Sequence, residues 1–219
     1  MIRRVYEQAS ASGKLQKVVV ATDDERIFNE VKSFGGEAVM TSDEHRSGTD
    51  RCAETVKKVS GYWDAVINIQ GDEPFIQPEQ IDLLAGLFSD PEVKIGTLVK
   101  KLVDPADLDN PNTMKVVLDA KNNGMYFSRS PIPFVRGAEK SEWLRQHFFY
   151  KHIGIYGYRT STLLELTKLS PGKLEIAESL EQLRWLENGY SIRTAFTDLE
   201  TISIDVPEDL DKLKTAGLI

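Results

Sequence analysis

The feature that most constrains this chain is the stretch Ala65-Val66-Ile67-Asn68-Ile69-Gln70-Gly71-Asp72-Glu73-Pro74, an uncharged, largely apolar run that stops in a glycine, two carboxylates and a proline. Such a run reads as a buried strand whose end delivers acids to the carboxyl edge of a sheet, where open α/β folds bind ligands. At 219 residues the chain has room for one large domain and a core of ordinary size.

Around that run, strands and helices alternate. The pattern predicts a helix over 1–12, a strand over 17–21 and a capping box from Thr22 to Glu25. The helix after it carries Ile27, Phe28, Val31 and Phe34 on one stripe and closes at Gly35-Gly36. A strand over 38–40, a polar loop over 41–49 and a helix over 50–59 follow, and Pro78 opens another helix that buries Ile81, Leu84, Ala85 and Phe88. This alternation predicts an α/β fold with a doubly wound, mostly parallel sheet. After residue 90 the pattern changes, with strands over 94–102 and 114–119, a turn at Asn122-Asn123-Gly124 and a long strand over 147–158. Helices over 160–169 and 173–187, strands over 191–197 and 201–205 and a helix from Pro207 complete the chain. The expectation is one domain over 1–219 with a β-rich insertion at about 94–158.

Composition narrows the function. No apolar run is long enough to cross a bilayer, and Met1 to Tyr6 is basic and amphipathic without the apolar core of a secretory signal. The lone Cys52 excludes an internal disulfide and suits the cytoplasm. A net charge of -7 argues against a nucleic-acid surface, so a polyanionic ligand needs local cations or a metal.

Several segments offer chemistry, each with a plainer alternative. Gln70 to Pro74 suits a divalent cation beside a phosphate, because carboxylates are ligands that magnesium accepts; a tight turn with solvated acids fits it too. Asp205 ends the strand over 201–205 and, in a shared parallel sheet, emerges beside Asp72 to share a metal; helix capping before Pro207 accounts for it as well. His45-Arg46-Ser47-Gly48-Thr49-Asp50-Arg51 offers N–H groups and cations to a base or phosphate, or is a solvated turn. On the strand over 147–158, His152 and Tyr156 share a face roughly 13 Å apart with Gly154 between them, as on a wet edge strand. Glu178, Glu181, Gln182 and Trp185 share one face of the helix over 173–187, and Ser128-Arg129-Ser130-Pro131 places a cation after a strand.

In this order the pieces resemble the 3-deoxy-manno-octulosonate (Kdo) cytidylyltransferases, or CMP-Kdo synthetases. The resemblance rests on His45 with Ser47-Gly48-Thr49, Asn68 to Pro74, Asn110-Pro111-Asn112 with Lys115-Val116-Val117-Leu118-Asp119, and Tyr126-Phe127-Ser128-Arg129. It extends through His152-Ile153-Gly154-Ile155-Tyr156-Gly157-Tyr158, Leu180-Glu181-Gln182-Leu183-Arg184 and Asp205-Val206-Pro207-Glu208-Asp209-Leu210. It implies a nucleotide-diphospho-sugar transferase fold that moves CMP from CTP to Kdo, with release of pyrophosphate, for lipopolysaccharide synthesis. By the same resemblance Asp72 and Asp205 hold Mg2+, and Gln70 lies between nucleotide and sugar. Ser47, Gly48 and Thr49 hold cytosine, while His152, Tyr156, Glu181 and Gln182 hold the sugar acid. Arg129 and Arg136 are both candidates for its carboxylate. A cytoplasmic homodimer paired through the β-rich insertion is implied, without nucleic-acid or membrane partners. Activation of another acidic sugar such as sialic acid is the alternative within the class. A non-catalytic or glycosyltransferase-like nucleotide binder is the alternative outside it, although glycosyltransferases of that architecture tend to carry two aspartates flanking one residue.

One departure matters. Members of that family open with a strand and a loop of the type Pro-Ala-Arg-x-x-Ser-x-Arg-x-x-x-Lys, whose cations hold the triphosphate, whereas Met1-Ile2-Arg3-Arg4-Val5 matches the helix after that loop. The expectation is a chain that lacks this first unit and shows weak or no catalysis. Pyrophosphate release from CTP and Kdo should rise when an upstream strand–loop unit is added, and full activity of the chain as written would overturn the expectation.

Overall fold

An apolar run becomes a strand only where a neighbour takes its backbone hydrogen bonds, so pairing decides the architecture. The structure is a computed structural model describing residues 1–200. Asp205, the strand expected over 201–205 and the helix from Pro207 lie outside the described residues. The chain divides into two compact units, built mainly from Met1–Ser60 with Ile69–Asp82 and from Gly61–Asn68 with Leu83–Leu199.

In the first unit, α1 (Ile2–Ser10) buries Val5 and Ala9. After it, the Asp82 carboxylate accepts from the Ser12 hydroxyl (2.5 Å) and from the N–H groups of Gly13 (3.2 Å) and Lys14 (3.1 Å). The strand β1 (Val20–Thr22) pairs in parallel with β2 (Ala38–Met40), and α2 (Glu25–Ser33) crosses between them. The cap of α2 is Asp24, whose carboxylate accepts the Arg26 N–H at 2.7 Å, while Thr22 accepts from the Asp24 N–H instead of opening a capping box. Only Val31 of the expected stripe is buried within the helix, and Ile27 is exposed. A short two-stranded layer cannot cover the full width of an amphipathic face. The next helix, α3 (Gly48–Lys58), starts two residues before the expected Asp50.

Chain order then brings β3 (Ala65–Asn68) and α4 (Pro78–Gly86), in which Ile81 and Leu84 are fully buried. The second unit continues with β4 (Ile95–Lys101), α5 (Pro105–Asp109), β5 (Lys115–Leu118), β6 (Asn123–Ser128) and α6 (Trp143–Gln146). It is completed by β7 (Tyr150–Arg159), α7 (Thr160–Leu166), α8 (Lys173–Glu178), α9 (Gln182–Glu187) and β8 (Ile192–Phe196). Among the described residues its sheet has six strands in the order β3-β7-β4-β8-β6-β5, with β5 also pairing with β7.

The α/β class holds, but parallel pairing is confined to β1–β2 and β4–β8 among the described residues; the other pairs are antiparallel. The reason is β7, which returns between β3 and β4 and pairs antiparallel with both. Strand–helix alternation reports the order of elements, and a strand arriving much later in the chain can still take the place between two earlier ones. The strands between residues 94 and 158 therefore lie in the same sheet as β3 and β8.

Two glycines make this insertion possible. Gly96 on β4 and Gly157 on β7 face each other across the register. A Cβ on Gly157 would lie 2.5 Å from the Phe88 ring and 2.8 Å from Ile67, and one on Gly96 would lie 3.0 Å from Leu87. Arg159 closes the same corner, donating to the carbonyls of Phe88 (2.6 Å) and Asp90 (3.0 Å). Replacing Gly157 by alanine should destabilise the protein by about 1–3 kcal/mol through overpacking. A lowered urea midpoint at unchanged m-value would show it, and an unchanged midpoint would contradict it.

Candidate active site

In the first unit, Ser47 is extended and caps α3: its hydroxyl accepts the Asp50 N–H (3.1 Å) and donates to the Asp50 carboxylate (3.0 Å). The Ser47-Gly48-Thr49 segment is therefore the start of an eleven-residue helix rather than a loop, with Thr49 buried. Helix starts leave N–H groups and partial positive charge available to a phosphate or a base carbonyl. The loop before it is held by Glu54, whose carboxylate takes Lys58 (2.5 Å), the Ser42 N–H (2.9 Å) and His45. Those three hydrogen bonds, Lys58 first, hold the Glu54 carboxyl down at about 2. His45 thus positions the loop, and Arg51 is tied to Thr41 (2.6 Å) and Asp23 (3.1 Å).

The turn after β3 is tightened by the Glu73 N–H donating to the Gln70 carbonyl at 3.3 Å. Gln70 and Gly71 are exposed, Asp72 and Glu73 half-buried, and Pro74 to Ile76 buried. A Cβ on Gly71 would find only Ile2, at 3.7 Å, so the backbone there is open to a close approach. No group of three or more His, Cys, Asp or Glu side chains gathers to hold a metal among the described residues, and Asp205 lies outside them. Magnesium is commonly held by one or two carboxylates together with substrate phosphates, so the hard oxygens of Asp72 suit it.

In the second unit the decisive feature is a bulge. Thr97 of β4 stands opposite Tyr156 and Leu98 opposite Ile153, so Gly154 and Ile155 are extra residues on β7. A straight strand would separate His152 and Tyr156; the bulge instead brings their rings to 5.1 Å between centroids. The fully buried Thr97 fills the bend, its hydroxyl lying 2.7 Å from the Ile155 carbonyl, 3.3 Å from that of Ile153 and 2.9 Å from His152 Nε2. Phe127 meets His152 edge-on at 5.2 Å, and Trp185 meets Tyr156 at 5.0 Å and Tyr158 at 5.5 Å.

Within this aromatic cluster His152 Nδ1, the Tyr156 hydroxyl and Trp185 Nε1 are buried without a hydrogen-bond partner among the described residues. Leaving such a group unsatisfied costs about 1–3 kcal/mol, a penalty that a polar ligand relieves. Burial holds the His152 pKa down to about 3. Burial, then the charges of Tyr158 and Glu181, lifts Tyr156 well above the usual phenol range. At neutral pH both are uncharged, a combination suited to sugar hydroxyls.

Glu181 and Gln182 reach this region through a break that the sequence pattern missed. The helix expected over 173–187 is divided into α8 and α9, with Ser179 left-handed at φ 53°. The cause is Glu178, whose carboxylate takes the Ser128 hydroxyl (2.6 Å), the Arg129 N–H (3.0 Å) and the Tyr126 hydroxyl (3.5 Å). Burial pushes that carboxyl up, but these bonds and the Arg129 charge outweigh it, and the net shift is downward. Arg129 holds the bend from the other side, donating to the carbonyls of Glu178 (2.7 Å), Pro111 (2.9 Å) and Ser179 (3.4 Å). Glu181 and Gln182 therefore open α9 instead of sharing the middle of a long helix with Glu178, and Trp185 is core. Arg136 is exposed. Thr97 was illegible as a site residue, because one threonine in the apolar run Ile95 to Val99 gives no signal.

The Cytidylyltransferase family profile matches residues 1–202. The chain is 56% identical over 216 residues to the 3-deoxy-manno-octulosonate cytidylyltransferase of Parabacteroides distasonis, covering 97% of this chain and 85% of that protein. It is 54% identical over 211 residues to the enzyme of the same name from Cytophaga hutchinsonii, covering 96% and 84%. Among solved structures, a CMP:2-keto-3-deoxy-manno-octonic acid synthetase complexed with CTP superposes with a TM-score of 0.89 at 40% identity, over 99% of this chain and 86% of that one. A 4-diphosphocytidyl-2C-methyl-D-erythritol synthase from Anaerococcus prevotii shares the fold, with a TM-score of 0.62 at 13% identity over 100% of this chain and 89% of that one.

Because Glu54 has a depressed pKa, its stabilisation is present above the ordinary value of 4.5 and is lost as pH falls from there toward about 2. Glu54→Gln should therefore lower the urea midpoint most above about pH 5 and progressively less below it. A pH-independent difference would refute the role given to this carboxylate.

Proposed function

The chain belongs to the cytidylyltransferase family, and on that basis we propose that it transfers CMP from CTP to the anomeric hydroxyl of Kdo, releasing pyrophosphate. The observation that carries the sugar half of this reading is the uncharged cluster of His152 and Tyr156, with buried polar atoms lacking protein partners among the described residues. The names borne by relatives at 54–56% identity, and the solved synthetase with CTP, support the rest.

In the reaction the sugar oxygen bonds to the α-phosphorus, the bond to the bridging oxygen breaks, pyrophosphate leaves with that electron pair, and the hydroxyl proton is released. Ser47 fixes the start of α3, where it, Gly48 and Thr49 receive the nucleotide. Gln70 sits between nucleotide and sugar, and Asp72, with Asp205, provides the carboxylates for Mg2+. Magnesium, when bound, offsets the negative charge of the phosphates. His152, Tyr156, Glu181 and Gln182 orient the sugar. Arg129 fixes the bend that presents Glu181 and offers its remaining N–H donors to the sugar carboxylate. Kdo activation of this kind serves lipopolysaccharide synthesis.

We also place the enzyme in the cytoplasm as a homodimer. Support for the first is that Cys52 is the chain's single cysteine, and for the second the exposed Val103, Met125, Phe134 and Phe148 in the region from 94 to 158. No helix among the described residues is long and apolar enough to cross a membrane.

The test is pyrophosphate release from CTP with magnesium, compared between Kdo and sialic acid. Dependence on Kdo supports the proposal, and turnover of sialic acid alone overturns it. Asp72→Asn should lower kcat by about 10²–10³-fold. Tyr156→Phe should raise the KM for Kdo about tenfold and leave that for CTP unchanged.

A further inference from the structure

The Thr97 hydroxyl has one proton and three neighbours: the carbonyls of Ile155 and Ile153 and the imidazole Nε2 of His152. Carbonyl oxygens only accept. Two oxygens 2.7 Å apart, as Thr97 Oγ1 and the Ile155 carbonyl are, repel each other unless a proton lies between them. The proton of Thr97 is therefore committed to a carbonyl, and its oxygen is left to accept at 2.9 Å from Nε2. An accepting oxygen there requires Nε2 to carry hydrogen.

We propose that Thr97 is a positioning residue that holds His152 as its Nε2–H tautomer, so that Nδ1 is presented as an acceptor to a hydroxyl of the sugar acid. The inference deepens the proposal above and rests on its placing of the sugar at His152. Three observations converge on it. Thr97 is fully buried, so water does not compete for its hydroxyl. The bulge on β7 brings both carbonyls to the same hydroxyl and fixes its orientation. His152 Nδ1 is buried without a partner among the described residues, as an acceptor reserved for a ligand would be. Burial keeps the ring neutral at physiological pH, so tautomer choice alone decides whether that nitrogen accepts or donates. The neighbouring Tyr156 hydroxyl, also buried without a partner among the described residues, can both donate and accept. Together the two groups distinguish a correctly placed sugar hydroxyl from a carbon bearing none.

Long-range 1H–15N correlation spectra of protein labelled at histidine read the tautomer directly, with His152 assigned by its loss in His152→Gln. The substrate-free wild type and Thr97→Ser should both show hydrogen on Nε2. Thr97→Val should lose that preference and raise the KM for Kdo about tenfold with the KM for CTP unchanged, while Thr97→Ser stays near wild type. Hydrogen on Nδ1 in the wild type would overturn the inference, and that spectrum needs no variant to fold. An unaltered tautomer and unaltered sugar KM in Thr97→Val would overturn it too. Turnover of sialic acid but not of Kdo would refute the substrate assignment instead, since the spectra of the free protein do not depend on it.

Discussion

The aromatic cluster of the second unit depends on one register break. Two extra residues in β7 opposite Thr97 fold a strand that would otherwise run straight, and the His152 and Tyr156 rings come within contact. A bulge forfeits ladder hydrogen bonds, and here the Thr97 hydroxyl replaces part of what is lost by bonding to the bulged backbone. The same hydroxyl faces the histidine. Backbone repair and side-chain orientation are thus one interaction.

The bend between α8 and α9 shows the same economy. Glu178 ends α8 by reaching β6, Arg129 binds the carbonyls released there, and Ser179 takes up the left-handed turn. Had the helix continued, Glu181 and Gln182 would have lain along its middle. Because it breaks, they start a new helix whose Trp185 packs on Tyr156 and Tyr158.

The two units differ in their electrostatics. The first unit offers a helix start and the Asp72 turn, features suited to phosphates and their counter-ion. The second offers a neutral imidazole and a neutral phenol, suited to hydroxyls that are neither acids nor bases at physiological pH. A chain with a net charge of -7 gains little from a generally attractive surface for its anionic ligands, so local geometry has to provide the recognition.

The sequence by itself determined the elements whose cause is local. The strand of the apolar run before Asp72, half-buried rather than buried at the end of its sheet's strand order, the α2 and α4 helices and the β-rich stretch after residue 90 were legible because periodicity, caps and turn residues act over a few positions. Its motifs made the family legible too, and the family match agrees with that resemblance. Tertiary structure decided what depends on partners distant in the chain. It put β7 between β3 and β4, gave the second sheet its antiparallel character and broke the helix at Glu178. It also made Thr97 a neighbour of His152 across 55 residues. Hydrogen-bond partners such as these are chosen by which backbones meet, and no local pattern in the chain encodes that meeting.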